Sequence, residues 1–229
     1  MKVPLMTRKA ILFGSIGTIA DITELERKAY NQAFAEDGLE WNWSKPAFSK
    51  LRNAPGGRDR IAAYAEASDV RCNPFALHQR KVEIFSDAVA RTGLTPRPGV
   101  MELIGFAKQN GIRVALCTTT SRANVEAVLN GLDGALLRST FDFVGDVESV
   151  AAAKPDPEIF ETAMAKMDVF PSQCLAIEDT PFAFRAALAA GIDCVAFPGA
   201  DYQGADFDGA YAVVQRLSSD LLRMTEAAA

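Results

Sequence analysis

Four clusters of small or polar residues in this chain are of types that do chemistry together, and three of them directly follow an apolar run. Thr118-Thr119-Thr120-Ser121 follows RVALC, Glu178-Asp179-Thr180 follows CLAI, and Gly14-Ser15-Ile16-Gly17-Thr18 follows AILF. The fourth, Lys154-Pro155-Asp156-Pro157, precedes an amphipathic stretch. Hydroxyls and backbone amides at a helix start suit a phosphate, a lysine balances its charge, and neighbouring carboxylates hold Mg²⁺. Taken singly, each also has a purely structural reading. Residues 118–121 can cap a helix, Lys154 can sit in a solvated turn, and Glu178-Asp179 can be an exposed loop pair. The turn at 14–18 is the odd member, because it contains no carboxylate, histidine, cysteine or lysine.

Other catalytic patterns lack support. His78 is the only histidine and lies in a polar helical stretch, FALHQRKVEIF, which predicts a solvated side chain. No nucleophile motif accompanies it, so a Ser-His-Asp or Cys-His arrangement is disfavoured. Cys72, Cys117, Cys174 and Cys194 form no CxxC pair. They read as reduced thiols, three of them beside apolar runs, in a cytoplasmic protein.

The elements that must position the clusters fall into two kinds. After the strand at 10–13, Thr23 with Glu26 three residues later predicts a capping box opening a helix that Gly38 ends. Helices are expected at 45–51, 59–67 and 74–92, with the breaker RNAPGGR (52–58) between the first two. From Pro96 the pattern alternates: helix 99–110, strand 113–117, helix 122–130, strand 141–144, helix 157–167, strand 174–177, helix 182–190, strand 193–197 and a terminal helix 217–227. Strands alternating with helices predict βαβ units and a mainly parallel sheet, and unbroken apolar strands predict a sheet covered on both faces. The expected fold is therefore α/β: a Rossmann-like core of residues 1–22 and 93–229, interrupted by an all-helical segment, 23–92.

With 229 residues, 49% hydrophobic and 23% charged, the chain can bury a substantial core. A net charge of −5 and a pI near 5.0 argue against nucleic acid or an anionic membrane as partner. No apolar run approaches the roughly 20 residues that span a bilayer. The apolar part of MKVPLMTRKAILFG is too short for a signal peptide and leads into a core strand.

As a set, the motifs resemble the haloacid dehalogenase (HAD) superfamily, in its β-phosphoglucomutase-like and phosphoglycolate-phosphatase-like subgroup. The resemblance covers nearly the whole chain: the helical cap after the first strand, an hhhhT motif at 114–118, KPDPEIF at 154–160 and hhhhED at 175–179. TTTSRANVEAVL and the GG-R-x-R-I segment at 56–61 are similar to CbbY-type sugar-bisphosphate phosphatases. The resemblance implies a small phosphorylated metabolite as ligand, a monomer, and roles for single residues. Thr118, with Thr119, would bind phosphate, and Lys154 would neutralise it. Glu178, Asp179 and the carbonyl of Ile16 would ligate Mg²⁺, and Asn53 and Arg58 would contact the sugar from the cap.

The same resemblance marks departures. In the family motif D-x-D-G-T the first Asp attacks phosphorus and the second acts as acid and base, whereas those positions here are Gly14 and Ile16. Gly17, Thr18 and Asp21 still match, and Asp21 supports the loop. Glu26 replaces a cap-hinge histidine, and Ala183 replaces a glycine common after the acidic motif. Strand alternation points Ser15 away from the Gly14 side. The expectation is a phosphatase relative that is inactive or severely impaired, with weak Mg²⁺ binding and Lys154 left to pair with Glu178, Asp179 or an anion. The alternative is an active Mg²⁺-dependent sugar phosphatase using a non-standard nucleophile.

Overall fold

The structure, a computed structural model, describes residues 8–52 and 56–222. Strand β1 (Ala10–Phe13) is buried at every position. A tight turn leads into the one-turn helix α1 (Ile16–Ile19), which Ser15 caps by accepting the Thr18 N–H. Helices α2 (Thr23–Glu36), α3 (Lys45–Leu51), α4 (Gly57–Ala67) and α5 (Pro74–Thr92) follow. They share an aromatic core of Tyr30, Phe34, Trp43 and Phe48 with Ile61 and Leu77, separate from the clusters on the sheet. The Phe34 and Trp43 rings meet edge-on at 4.7 Å, a favourable geometry for aromatic pairs.

The alternating half comprises α6 (Val100–Gln109), β2 (Arg113–Cys117), α7 (Arg122–Gly131), β3 (Phe143–Gly145), α8 (Glu158–Met167), β4 (Cys174–Glu178), α9 (Pro181–Ala189), β5 (Asp193–Ala196) and β6 (Ala212–Val213). The six strands pair in parallel in the order β3-β2-β1-β4-β5-β6. Strand residues alternate between faces. Ile11, Phe13, Val114, Leu116, Leu175 and Ile177 pack on one side, and Ala10, Leu12, Ala115, Cys117, Cys174 and Ala176 on the other. Both faces are apolar and covered by helices, which explains the strands' lack of polar alternation. The chain moves outward one way from β1 through β2 and β3, then the other way from β4. The carboxyl ends of β1, β2 and β4 therefore flank the switch point where open α/β sheets bind ligands.

The helical segment leaves and rejoins the sheet at one place. Ala20 and Pro96 form an antiparallel bridge, and the Arg97 guanidinium donates to the carbonyls of Gly17, Phe197 and Pro198 at 3.0, 3.0 and 2.6 Å.

Three local expectations change. The capping box at Thr23 does not form: Ile22 occupies the cap position, and the Thr23 N–H donates to Asp21 Oδ1. Glu26 turns instead to Lys81 of α5, at 2.5 Å. The Lys81 ammonium is buried, and a buried charge left unpaired costs far more than a missing cap. The expected helix at 217–227 is a 3₁₀ turn, Ser219–Leu222, and residues 223–229 lie outside the described residues. Strand β6, only two residues long, has no sequence signature.

Candidate anion-binding cleft

A cleft of about 180 Å³ opens over the carboxyl ends of β1, β2 and β4, between the sheet and the helical segment. Gly14, Thr118, Thr119, Lys154 and Asp179 line its floor with Ser15, Ile16 and Asn124. Ser121, not Thr118, caps α7 by accepting the Asn124 N–H. That leaves Thr118 to accept the Thr120 N–H at 3.2 Å and Thr119 half-buried at the cleft wall.

Lys154 is buried in the turn before α8, with its ammonium 4.5 Å from the centre of the Phe160 ring. It donates to the carbonyl of Gly14 and to Oε1 of Glu178. Of the partners left open to Lys154 by the sequence, the structure uses Glu178. Glu178 is fully buried, and a β-carbon added at Gly14 would fall on its carboxyl group. Burial pushes the Glu178 carboxyl up to about 7 against the pull of Lys154, and Oε2 has no hydrogen-bond partner among the described residues.

Ser15 does not face away from the cleft. β1 ends at Phe13, so strand alternation no longer governs Ser15, which instead caps α1. Its hydroxyl donates to Asp179 Oδ1 at 2.8 Å. On the other side of Asp179, Oδ2 stands 3.9 Å from the Arg52 guanidinium. Arg52, at the end of α3, donates to Thr23 Oγ1 at 2.9 Å and lies over the Tyr202 ring.

The helical wall is made of Glu26, Tyr30, Arg52, Arg60 and His78, of which only Arg60, the second arginine of the GG-R-x-R-I segment, belongs to a motif read as contacting the ligand. Packing of α5 against α2 and α4 turns His78 inward, contrary to the solvated side chain its polar neighbours predict. Burial, reinforced by the Lys81 charge, lowers its pKa to about 4, so it is neutral at pH 7. Burial alone would raise Glu26, but Lys81, Arg52 and Arg60 outweigh it and hold the carboxyl at about 2. Arg58 is exposed beside Asp59 at 3.0 Å and lies outside the cleft lining, while Asn53 lies outside the described residues.

Residues 8–191 match the haloacid dehalogenase-like hydrolases, and the chain belongs to that family. It is 38% identical over 205 residues to Protein CbbY of Cereibacter sphaeroides, covering 88% of this chain and 89% of that one. A crystal structure of a CbbY mutant from Rhodobacter sphaeroides in complex with xylulose-1,5-bisphosphate superimposes with a TM-score of 0.88 at 33% identity, over 95% of this chain and all of the other. Fructose-1-phosphate phosphatase YqaB of Escherichia coli is 32% identical over 188 residues, 81% of this chain and 94% of its own.

Hydrolases of this family generally use Mg²⁺. The donor set here does not fit that ion. Mg²⁺ demands near-octahedral oxygen ligation with carboxylate help. Among the described residues no three acidic, histidine or cysteine side chains gather at one point. Glu178 Oε1 and the Gly14 carbonyl accept from Lys154, Asp179 accepts from Ser15, and the Ile16 carbonyl accepts the Ala20 N–H.

Proposed function

We propose that the cleft binds a small phosphorylated sugar and turns it over negligibly or not at all, with residues 23–92 acting as the cap over a core of 1–22 and 93–229. One observation carries this reading: at position 14, opposite Lys154 and Thr118, there is a glycine whose side-chain space is filled by the buried Glu178 carboxyl. Nothing there can attack phosphorus, and Ile16 offers no proton to a leaving group. Removing the nucleophile of a serine protease costs about 10⁶ in kcat, and a loss of that size leaves negligible turnover. Thr118, Thr119 and the Lys154 ammonium remain to receive a phosphoryl group, and the sugar-phosphate chemistry of the relatives supports a phosphorylated carbohydrate as the ligand class.

A second reading has one observation in its favour. Ser15 Oγ points at the Asp179 carboxylate, and a carboxylate can take a proton from an attacking hydroxyl. On this reading the protein is a phosphatase with Ser15 as nucleophile.

Incubation with p-nitrophenyl phosphate and a panel of sugar phosphates, with and without Mg²⁺, separates the two. The first reading expects thermal stabilisation by sugar phosphates without product. Turnover abolished by Lys154→Ala and retained in Ser15→Ala overturns it, and turnover abolished by Ser15→Ala selects the second.

A further inference from the structure

We propose that this cleft takes its phosphoryl group without a divalent cation, the positive charge coming from Lys154 and Arg52. The inference rests on the phosphate-pocket reading above and adds to it where the charge comes from. Each carboxylate at the cleft floor already has a basic partner supplied by another element. Glu178 at the end of β4 is paired with Lys154 from the turn before α8. Asp179 accepts from Ser15 at 2.8 Å and stands 3.9 Å from Arg52, whose side chain is only 13% exposed. A divalent ion entering between these carboxylates would face the Lys154 ammonium on one side and the Arg52 guanidinium on the other. At such separations, in a poorly solvated site, like charges repel strongly and are weakly screened by salt.

An anion meets the opposite field. The residues lining the cleft include three basic side chains, Arg52, Arg60 and Lys154, and two acidic ones, Glu26 and Asp179. Glu26 is itself neutralised from behind by Lys81 at 2.5 Å. With Glu178 beneath the floor counted, these three cations meet three carboxylates, and it is Lys81 that leaves the cleft locally positive in a chain whose net charge is −5. Guanidinium and ammonium donors are the usual protein partners of phosphate oxygens. With position 14 a glycine, the floor has no third carboxylate, and an incoming phosphate shares Lys154 and Arg52 with Glu178 and Asp179.

The test is calorimetric titration of the full chain with inorganic phosphate and with glucose 6-phosphate, in excess EDTA and in saturating Mg²⁺. The expected result is the same Kd in both, within about a factor of two, and no thermal shift from Mg²⁺ alone. Tightening of about tenfold or more by Mg²⁺ overturns metal independence while leaving the phosphate reading intact. No binding in either condition overturns the phosphate reading and this inference with it. Arg52→Gln, which leaves the buried Lys154–Glu178 pair in place, should weaken phosphate binding in EDTA by about tenfold. Unchanged affinity in a folded Arg52→Gln protein rules out Arg52 as a source of the charge and overturns the proposal as stated.

Discussion

The carboxyl group of Glu178 lies in the space into which a side chain at Gly14 would project, held there by Lys154. Gly14 directly follows β1, donating its N–H to the carbonyl of Ile177 at 2.9 Å, and Glu178 ends the paired strand β4, so a change at one is felt directly at the other. Gly14→Asp alone should therefore displace Glu178 and place two carboxylates against one ammonium. Overpacking in a filled interior costs about 1–3 kcal/mol, and like-charge crowding adds to it. A urea midpoint below that of the unmodified protein in EDTA is the expected result.

Gly14→Asp combined with Ile16→Asp should behave differently. With Glu178 displaced, four carboxylates would surround the cleft floor, which is a donor set suited to Mg²⁺. The double variant should be less stable than the starting protein in EDTA, gain thermal stability on addition of Mg²⁺ by mass action, and show measurable Mg²⁺-dependent hydrolysis of sugar phosphates. A double variant that binds Mg²⁺ yet hydrolyses nothing would show that loss of function extends beyond these two positions.

The Lys154–Glu178 pair is buried on both sides. Removing one partner of a buried pair typically costs about 3–5 kcal/mol, because the other is left as an uncompensated charge, whereas replacing both by apolar groups is often close to neutral. Lys154→Met should reach that range by urea denaturation only well above pH 7, and should cost less near neutral pH, where Glu178, already raised to about 7, protonates once the pull of Lys154 is gone. Lys154→Met with Glu178→Leu should recover most of the loss. Equal destabilisation of the single and double variants would show that packing around Phe160, not charge, dominates.

Much of this arrangement was legible in the chain. The apolar runs at 10–13, 113–117 and 174–177 are buried strands whose ends place Gly14, Thr118 and Glu178-Asp179 together, because in a parallel sheet all carboxyl ends share one edge. Beyond Arg60, the helical wall was not legible. Arg52, Arg60 and His78 reach the cleft only through the packing of α3, α4 and α5 around an aromatic core. No local pattern encodes which face of a polar helix that packing turns inward. Ser15 was misplaced because alternation applies only while the chain is a strand, and α1 begins immediately after it. Glu26 was assigned to a local cap for the same kind of reason: its actual partner, Lys81, is 55 positions away and buried.

Ser15 carries two loads, capping α1 and donating to Asp179. Ser15→Ala should lose about 1 kcal/mol from the cap. It should also leave Asp179 more dependent on Arg52. Chemical denaturation of Ser15→Ala, Arg52→Gln and the double variant measures that dependence. A double-variant loss larger than the sum of the singles is expected, since both act on one carboxylate.

His78 supplies a pH signature from the helical wall. Its ordinary value of 6.5 falls to about 4 in the folded protein through burial and the neighbouring Lys81. Between pH 6.5 and 4 the unfolded chain thus binds more protons at this residue than the folded one. Its contribution to stability is complete above 6.5 and is lost as the pH falls through that window. The groups acting on it are Lys81 on its own helix, Glu26 from α2, and Arg58 and Arg60 from α4; Glu26, at about 2, does not titrate in this range. Glu178, raised from 4.5 to about 7, has a slope of opposite sign over much of the same range, because there the folded state binds the extra proton. The comparison that isolates His78 is therefore between the unmodified protein and His78→Gln, both of which carry Glu178. The unmodified protein should lose denaturation midpoint relative to His78→Gln as the pH drops from 6.5 to 4. A constant difference between the two across that window would place His78 in solvent with its ordinary titration, and would remove it from the cleft wall.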